Sequence, residues 1–177
     1  MTAFHQETYY LNLIREILDH GNDEIGRNGN VRSLFGYSMR FSLKDGTWPL
    51  LTTKKVAWKT CLHELFWFIR GQTDNKILQD RNVHIWDGNG SREFLNSRGL
   101  FDYEVDELGP IYGYQWRNFG KTESVDGVDQ LKNALELIKK DPNSRKIIVS
   151  AWNPQQLNEM ALEPCHMMFQ FQVDNGK

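Results

Sequence analysis

The sequence predicts an α+β fold in which helices pack on one face of a mixed β-sheet. Two observations predict it: segments with the apolar spacing of amphipathic helices, and a segment in which apolar and polar residues alternate. Such helices and such a sheet each bury one apolar surface, and packing them together buries both. The 177 residues, 40% apolar and 25% charged, suit one soluble domain spanning residues 1–177.

Three segments have the spacing of amphipathic helices followed by a stop signal. They are residues 7–20, ended by Gly21; residues 58–70, ended by Gly71; and residues 128–138, ended by Asp141 and Pro142. The apolar stripe of the second segment contains Trp58, Cys61, Leu62, Leu65 and Ile69. We therefore expect Cys61 to be a buried core thiol.

Three further segments are predicted strands. In residues 34–43 every second residue is apolar, which predicts a half-buried strand. Residues 147–152 predict a buried strand, and the alternation from Phe169 to Val173 predicts a second half-buried one. That last strand runs into Asp174-Asn175-Gly176, a strong hairpin signal with no return strand behind it. We therefore expect the domain to be incomplete at its C-terminal end.

Composition excludes several classes of protein. The formal net charge of -2 gives no basic surface for nucleic acid, so an anionic substrate would be held by a few arginines. Two cysteines are too few for a disulfide framework. The N-terminus has no basic and apolar signal region, and the apolar run around residues 65–69 is too short to span a bilayer. These features predict a cytoplasmic protein that does not insert into membranes.

Cys165 is the first candidate for chemistry, because it lies between Pro164 and His166 just ahead of the final strand. Successive side chains of an extended segment point to opposite faces, so His166 is not expected to pair with Cys165. A nucleophilic thiolate would then need another cation, most simply an arginine. A structural role for the cysteine is the alternative.

Glu64 is the second candidate, since helical spacing puts it on one face with Cys61 and Phe68. Desolvation among such neighbours would favour the protonated carboxyl and suit acid–base work through a water. The alternative is a glutamate at the edge of the apolar stripe that reaches solvent. A zinc site of the His-Glu-x-x-His type is excluded because position 67 is Trp, and no Cys/His spacing suggests another metal.

Six collinear segments resemble the thymidylate synthase family. They are WPLLTTKK (48–55), HELFWFIRG (63–71), IWD (85–87), LGPIYGYQWR (108–117), SRKIIVSAWNP (144–154) and MALEPCH (160–166). The agreement covers nearly the whole chain and surrounds a cysteine at the position of the family's nucleophile. It implies a thymidylate synthase-like α+β fold whose sheet pairs with a second subunit in a homodimer.

The resemblance implies reductive methylation of dUMP to dTMP, in which 5,10-methylenetetrahydrofolate gives the carbon and the hydride and leaves as dihydrofolate. By the match, Cys165 is the thiolate that adds to carbon 6 of uracil, and the resulting enolate attacks the folate methylene. Glu64 matches the glutamate that organises water for the proton transfers. Tyr112 matches a tyrosine near that step, and His166 a histidine that holds ordered water.

The resemblance also implies binding residues. Arg145 matches an arginine that reaches across the dimer interface to the dUMP phosphate, and Lys146 stands where many members have a second arginine. Arg27 is the best match for a phosphate-clamping arginine, with Arg32 as the alternative, because the loop at residues 26–33 is one residue shorter than the family's. For folate, the matching residues are Lys54, Trp86 and Leu162.

Two other functions remain open. A pyrimidine nucleotide hydroxymethylase uses the same thiolate and folate but delivers water in place of hydride. The chain could instead be an inactive truncated fragment, since the family continues past the final hairpin with a phosphate arginine and the asparagine that reads the uracil edge. On this reasoning we expect the 177-residue chain alone to be inactive.

Overall fold

The computed structural model describes residues 5–26, 29–174 and 176. Contacts group the chain into two compact units, Met1–Ala57 (unit 1) and Trp58–Lys177 (unit 2), which are described separately. The predicted α+β class is confirmed: several helices occur with two small antiparallel sheets, each of two strands, in the part of the chain that is described. The single-domain assignment remains a prediction.

Unit 1 begins with the predicted first helix, α1 (Glu7–His20), which ends at Gly21 as expected. A hairpin follows that the sequence analysis did not predict, formed by β1 (Asn22–Gly26) and β2 (Gly29–Ser33). Arg32 holds this hairpin, because its guanidinium donates to both carboxylate oxygens of Asp23 at 2.8 and 2.9 Å. A third donor of the same group reaches the Leu18 carbonyl at 2.8 Å.

The predicted strand at residues 34–43 is wrong. In the described part of unit 1 this segment has no strand partner, and Phe35, Tyr37 and Met39 are exposed. Alternating apolar residues form a strand only where a neighbouring strand supplies ladder hydrogen bonds and a surface to cover them. The predicted stop is present as a short 3-10 helix at Lys44–Gly46.

A buried carboxylate ties the start of α1 to a later segment of unit 1. Glu7 is only 7% exposed. It accepts the backbone N–H groups of Thr52 and Thr53 at 2.8 and 2.9 Å and their hydroxyls at 2.5 and 2.7 Å. The hydroxyl of Thr52 contributes most to lowering the pKa of Glu7 from 4.5 to about 2, since each donor favours the charged form.

We expect this carboxylate to make unit 1 sensitive to acid. Because the folded-state pKa of Glu7 is depressed, its contribution to stability is fully present above about 4.5 and is lost as the pH falls through about 2. The amide resonances of Thr52 and Thr53 should therefore shift with a midpoint near 2, and Glu7→Gln should abolish that titration. A midpoint at the ordinary value of 4.5 would contradict the contact.

Unit 2 contains the remaining elements. They are α2 (Trp58–Ile69), α3 (Lys76–Gln79), α4 (Asp87–Gly90), α5 (Arg92–Ser97), α6 (Tyr112–Asn118), α7 (Gln130–Lys140), β3 (Ile148–Ser150), a 3-10 helix at Leu157–Glu159, and β4 (Met168–Gln170). The predicted third helix is confirmed as α7, which starts two residues late because Val128 pairs with Phe119 in a β-bridge. The strand expected at 147–152 is confirmed as the shorter β3.

The final strand is also shorter than predicted. β4 pairs antiparallel with β3, with Val149 opposite Phe169 on the side that packs into the core. It ends at Gln170, whereas the alternating pattern predicted a strand to Val173. The hairpin turn expected at 174–176 falls partly on Asn175, which lies outside the described residues.

Helix α2 is where predicted, but it buries a different face. Trp67 and Phe68 are buried, whereas Trp58, Cys61 and Leu65 are exposed, so the expectation that Cys61 is a core thiol is wrong. The reason is aromatic packing against α6: the Phe68 ring lies 4.7 Å from Tyr112 and 5.5 Å from Trp116. Aromatic contacts of this kind dominate core energetics and so fix the helix rotation.

The core of unit 2 surrounds the start of α6. Its fully buried members include Leu78, Leu95, Leu108, Ile111, Ile147, Val149 and Met160. Among the described residues, no helix is long and apolar enough to cross a membrane.

Candidate active site

The hydroxyl of Tyr112 holds the backbone on either side of the candidate nucleophile. Tyr112 is the first residue of α6 and is 4% exposed. Its oxygen accepts the N–H of Cys165 at 2.7 Å and, more weakly, that of His166 at 3.4 Å. Accepting two hydrogen bonds uses both lone pairs of the hydroxyl oxygen, so Tyr112 can form a further hydrogen bond only by donating its own hydrogen. The Cys165 side chain is exposed and the Pro164 before it is buried.

Tyr112 stays protonated at neutral pH. Burial raises the pKa of Tyr112 above its usual value of 10, and negative charge on Cys165 raises it further. The two backbone donors act in the opposite direction but do not outweigh burial. The tyrosine is therefore a neutral hydrogen-bond donor beside Cys165 rather than a base.

Glu64 joins the same site through Trp86. The Trp86 indole N–H donates to Glu64 Oε1 at 2.7 Å, and its ring lies 6.3 Å from the Tyr112 ring at an interplanar angle of 72°. Trp86 is 5% exposed and Glu64 is half-buried. Glu64 is thus fixed by a buried partner, which argues against the alternative of a glutamate that simply reaches solvent. Among the described residues no group donates a hydrogen bond to its second oxygen, Oε2, so a water can bind there.

His166 approaches from the nucleophile side. Its ring lies 5.8 Å from that of Tyr112, edge-on at 81°, and its side chain is exposed. The structure therefore brings Glu64, Trp86, Tyr112, Cys165 and His166 into one chain of contacts. Within the described residues no hydrogen bond joins the side chains of Cys165 and His166 or links an arginine to the thiol.

A buried amide network positions α6, and the sequence analysis missed it. Gln115 is fully buried and donates to the Pro110 carbonyl at 2.8 Å and to Gln156 at 3.0 Å. Asn153 donates to Gln115 at 3.2 Å and to Gln156 at 3.0 Å. Buried amides persist when their partners are supplied, so the network fixes α6 against residues 153–156. The available signal was two amides, Gln115 and Asn153, each directly beside a tryptophan in a matched motif.

The residues expected to bind phosphate are scattered over the two units. Arg145 and Lys146 are exposed just before β3, and the Arg145 guanidinium has no ion pair among the described residues. Arg32 already spends three of its five donors on Asp23 and Leu18. Arg27 lies outside the described residues.

The residues expected to bind folate also lie in both units. Trp86 and Leu162 belong to unit 2, where Leu162 packs, partly buried, against the core. Lys54 is exposed in unit 1, directly after the two threonines that Glu7 holds. No group of three or more His, Cys, Asp or Glu side chains among the residues described could hold a metal ion.

Comparison with known proteins agrees with the motifs. A family model described as thymidylate synthase matches residues 8–177. The chain belongs to the thymidylate synthase family. The resemblance predicted from the six motifs is thereby confirmed.

Two relatives in this family are single-function enzymes by name. The thymidylate synthase of Ascaris suum is 51% identical over 179 residues, covering 97% of this chain and 61% of that protein. Thymidylate synthase 1/2 of Encephalitozoon cuniculi is 48% identical over 98% of this chain and 61% of its own length. A bifunctional dihydrofolate reductase-thymidylate synthase of Plasmodium berghei is 52% identical, and the match covers 31% of it. The chain thus spans from 31% to 61% of the length of these relatives.

Proposed function

We propose that this chain supplies the nucleophile site of an enzyme that methylates dUMP reductively to dTMP with 5,10-methylenetetrahydrofolate. The observation that carries the proposal is an exposed Cys165 whose backbone N–H donates to the buried Tyr112 hydroxyl at 2.7 Å. A thiol in that position is accessible to a nucleotide while its main chain is fixed. Membership of the thymidylate synthase family supports the same assignment.

In the first step the Cys165 thiolate adds to carbon 6 of the uracil ring. The new S–C bond moves the ring's electrons toward carbon 5 and the carbonyl at carbon 4, so carbon 5 becomes nucleophilic. The O–H of Tyr112, the donor left free beside the cysteine, would stabilise the thiolate before addition.

A later step removes the proton from carbon 5. Trp86 occupies Oε1 of Glu64, so Oε2 can hold the water that accepts this proton. His166, exposed against the Tyr112 ring, would order the same water chain. The S–C bond would break and return the thiolate once the transferred carbon had separated from the folate nitrogen and received the hydride.

Trp86 and the partly buried Leu162 have the aromatic and apolar side chains that would pack against the pterin and the aminobenzoate of the folate. When bound, the folate supplies the one-carbon unit and the hydride. The ammonium of Lys54 suits the carboxylates of its glutamate tail.

The dUMP phosphate would be held by arginines in a homodimer. Arg145, exposed and unpaired among the described side chains, would reach a partner subunit's nucleotide, with Lys146 adding charge beside it. Because the Arg32 guanidinium is hydrogen-bonded to Asp23, Arg27 is the better candidate for the arginine that clamps the phosphate. The enzyme would work in the cytoplasm.

The product of the reaction tests the proposal. In a chimera, this chain replaces the matched region of the Ascaris suum thymidylate synthase, and the purified protein is given dUMP and methylenetetrahydrofolate. Mass spectrometry of the nucleotide should show dTMP. A hydroxymethyl product, heavier by one oxygen, would favour the hydroxymethylase. If the folded chimera gives no product while the Ascaris enzyme is active in a parallel assay, the result would favour the hypothesis that this chain is an inactive fragment.

A further inference from the structure

The ring of Phe68 packs directly on the tyrosine that holds the nucleophile segment. The centroids of the Phe68 and Tyr112 rings lie 4.7 Å apart at an interplanar angle of 38°, a separation at which aromatic pairs attract. Both side chains are buried. At the other end of the same tyrosine, the hydroxyl oxygen accepts the Cys165 N–H at 2.7 Å. Two direct contacts therefore connect helix α2 to the main chain of Cys165.

The other rings that contact Tyr112 among the described residues are less suited to anchor it. Trp86, 6.3 Å away, directs its indole N–H to Glu64. His166, 5.8 Å away, has an exposed side chain and belongs to the segment that the tyrosine holds. Phe68 lies in a regular helix and belongs to neither group. It is therefore the neighbour that can fix the Tyr112 ring independently of the nucleophile segment.

The main chain beside Tyr112 also lies against the end of α2. A Cβ at Gly113 would lie 2.8 Å from the Gln72 carbonyl oxygen, so the two backbones can approach this closely only because Gly113 has no side chain. Further along α6, Arg117 donates weakly to the Ile69 carbonyl at 3.4 Å. Tyr112 is thus attached to the same helix through its ring and through the backbone that follows it.

Helix α2 also carries Glu64, one turn before Phe68 on the same face. In the proposed reaction Cys165 adds to carbon 6 of the uracil ring and Glu64 acts at carbon 5, so their separation must be kept. A hydrogen-bonded helical turn holds two residues at a fixed spacing. Glu64 is held by the Trp86 indole, and Phe68 contacts the tyrosine that holds Cys165. One turn of α2 can therefore set the position of both groups.

We propose that Phe68 is a positioning residue that keeps the Tyr112 hydroxyl on the Cys165 N–H, so that α2 fixes the nucleophile relative to Glu64. The inference depends on the proposed function only in taking Cys165 as the nucleophile and Glu64 as its partner in the reaction. It concerns contacts within this chain and requires no bound nucleotide or folate.

Amide hydrogen exchange in the 177-residue chain tests the inference. NMR gives the exchange rate at Cys165 relative to that at Ala161, whose N–H donates instead to the Leu108 carbonyl at 3.0 Å. Tyr112→Phe keeps the ring but removes the acceptor, and should raise this ratio about three- to tenfold, the effect of one neutral hydrogen bond. Phe68→Leu removes the ring contact and should raise it by a similar factor.

A double variant separates positioning from a general loosening of the core. If Phe68 acts through the Tyr112 hydroxyl, adding Phe68→Leu to Tyr112→Phe should change the Cys165 ratio by less than about twofold. Phe169→Leu is the matched control, because it removes the same ring nearer to Cys165 in the sequence. The Phe169 ring contacts Trp116 and Phe171. This variant should keep the Cys165 ratio within about twofold of wild type.

The inference is overturned if Phe68→Leu leaves the Cys165 ratio unchanged, if the two single effects multiply in the double variant, or if Phe169→Leu has as large an effect as Phe68→Leu. If circular dichroism shows that Phe68→Leu does not fold, Phe68→Met, which keeps more of the volume, takes its place. An unchanged ratio in Tyr112→Phe overturns the inference by itself. None of these outcomes depends on turnover of dUMP, so failure here is distinct from failure of the proposed function.

Discussion

Gly109→Ala is expected to destabilise unit 2 by more than about 3 kcal/mol, a large part of the stability of an ordinary domain. Gly109 has φ +73°, and a Cβ there would lie 2.1 Å from the Glu159 carbonyl oxygen and 2.9 Å from Cε2 of Tyr103. The left-handed conformation alone costs about 1–2 kcal/mol for a residue with a Cβ. The clash adds to it because the obstructing atom belongs to the backbone and cannot rotate away.

The damage should extend to the segment that carries the nucleophile. Relieving the clash separates residues 108–109 from residues 159–161, which breaks the Ala161–Leu108 hydrogen bond of 3.0 Å and the Tyr103–Glu159 bond of 2.8 Å. Cys165 follows this segment directly. The rate at which iodoacetamide alkylates Cys165 should therefore differ between Gly109→Ala and the wild-type chain.

Gly99→Ala is the matched control in the same unit. Gly99 has φ +78°, but among the described residues beyond its chain neighbours no atom lies within 4 Å of the position that a Cβ would take. Only the conformational cost of about 1–2 kcal/mol therefore applies. Urea unfolding of both variants measures the difference. Equal losses of free energy would contradict the close approach of Gly109 to Glu159.

The helices that the sequence predicted best are those whose signals are local. In α1 the apolar stripe and Gly21 define the element, and in α7 Asp129 caps the first turn by accepting the Lys132 N–H at 2.9 Å. Such capping and spacing depend on residues within a few positions of one another. Contacts with distant residues therefore changed the predicted positions of these two helices little.

The predictions were wrong where the structure of a segment depends on residues that are distant in the sequence. Residues 34–43 have the alternation of a strand but lack a described neighbour to pair with. Helix α2 buries Trp67 and Phe68, whose ring packs on Tyr112 of α6, and leaves its leucines exposed. The β1–β2 hairpin was missed although Asn28-Gly29 is a turn signal.

The candidate site could be predicted as a set of residues but not as an arrangement. Family motifs selected Glu64, Tyr112, Cys165 and His166, and the structure joins them through Trp86. A long-range ion pair was equally invisible: Arg98 donates to Glu163 Oε1 at 3.1 Å across 65 positions, and neither residue has a local pattern that predicts the other. Long-range charge pairs of this kind become visible only in the fold.

Covalent trapping tests the role of Cys165 most directly, because Cys165→Ala is expected to abolish adduct formation completely. In 5-fluoro-dUMP, fluorine replaces the carbon 5 hydrogen that must leave as a proton, so a thiolate adduct formed with methylenetetrahydrofolate cannot proceed to product. The chimera with the Ascaris suum enzyme is incubated with both compounds and its intact mass is measured. Cys165→Ala removes the sulfur proposed to form the bond, whereas Cys61→Ala is the matched control because Cys61 is exposed on another element.

The expected result is a ternary adduct in the wild-type chimera and in Cys61→Ala, mapped to the Cys165 peptide, and none in Cys165→Ala. An adduct that persists in Cys165→Ala, or a folded chimera that forms none while the Ascaris enzyme does, would contradict the assignment of Cys165 as the nucleophile.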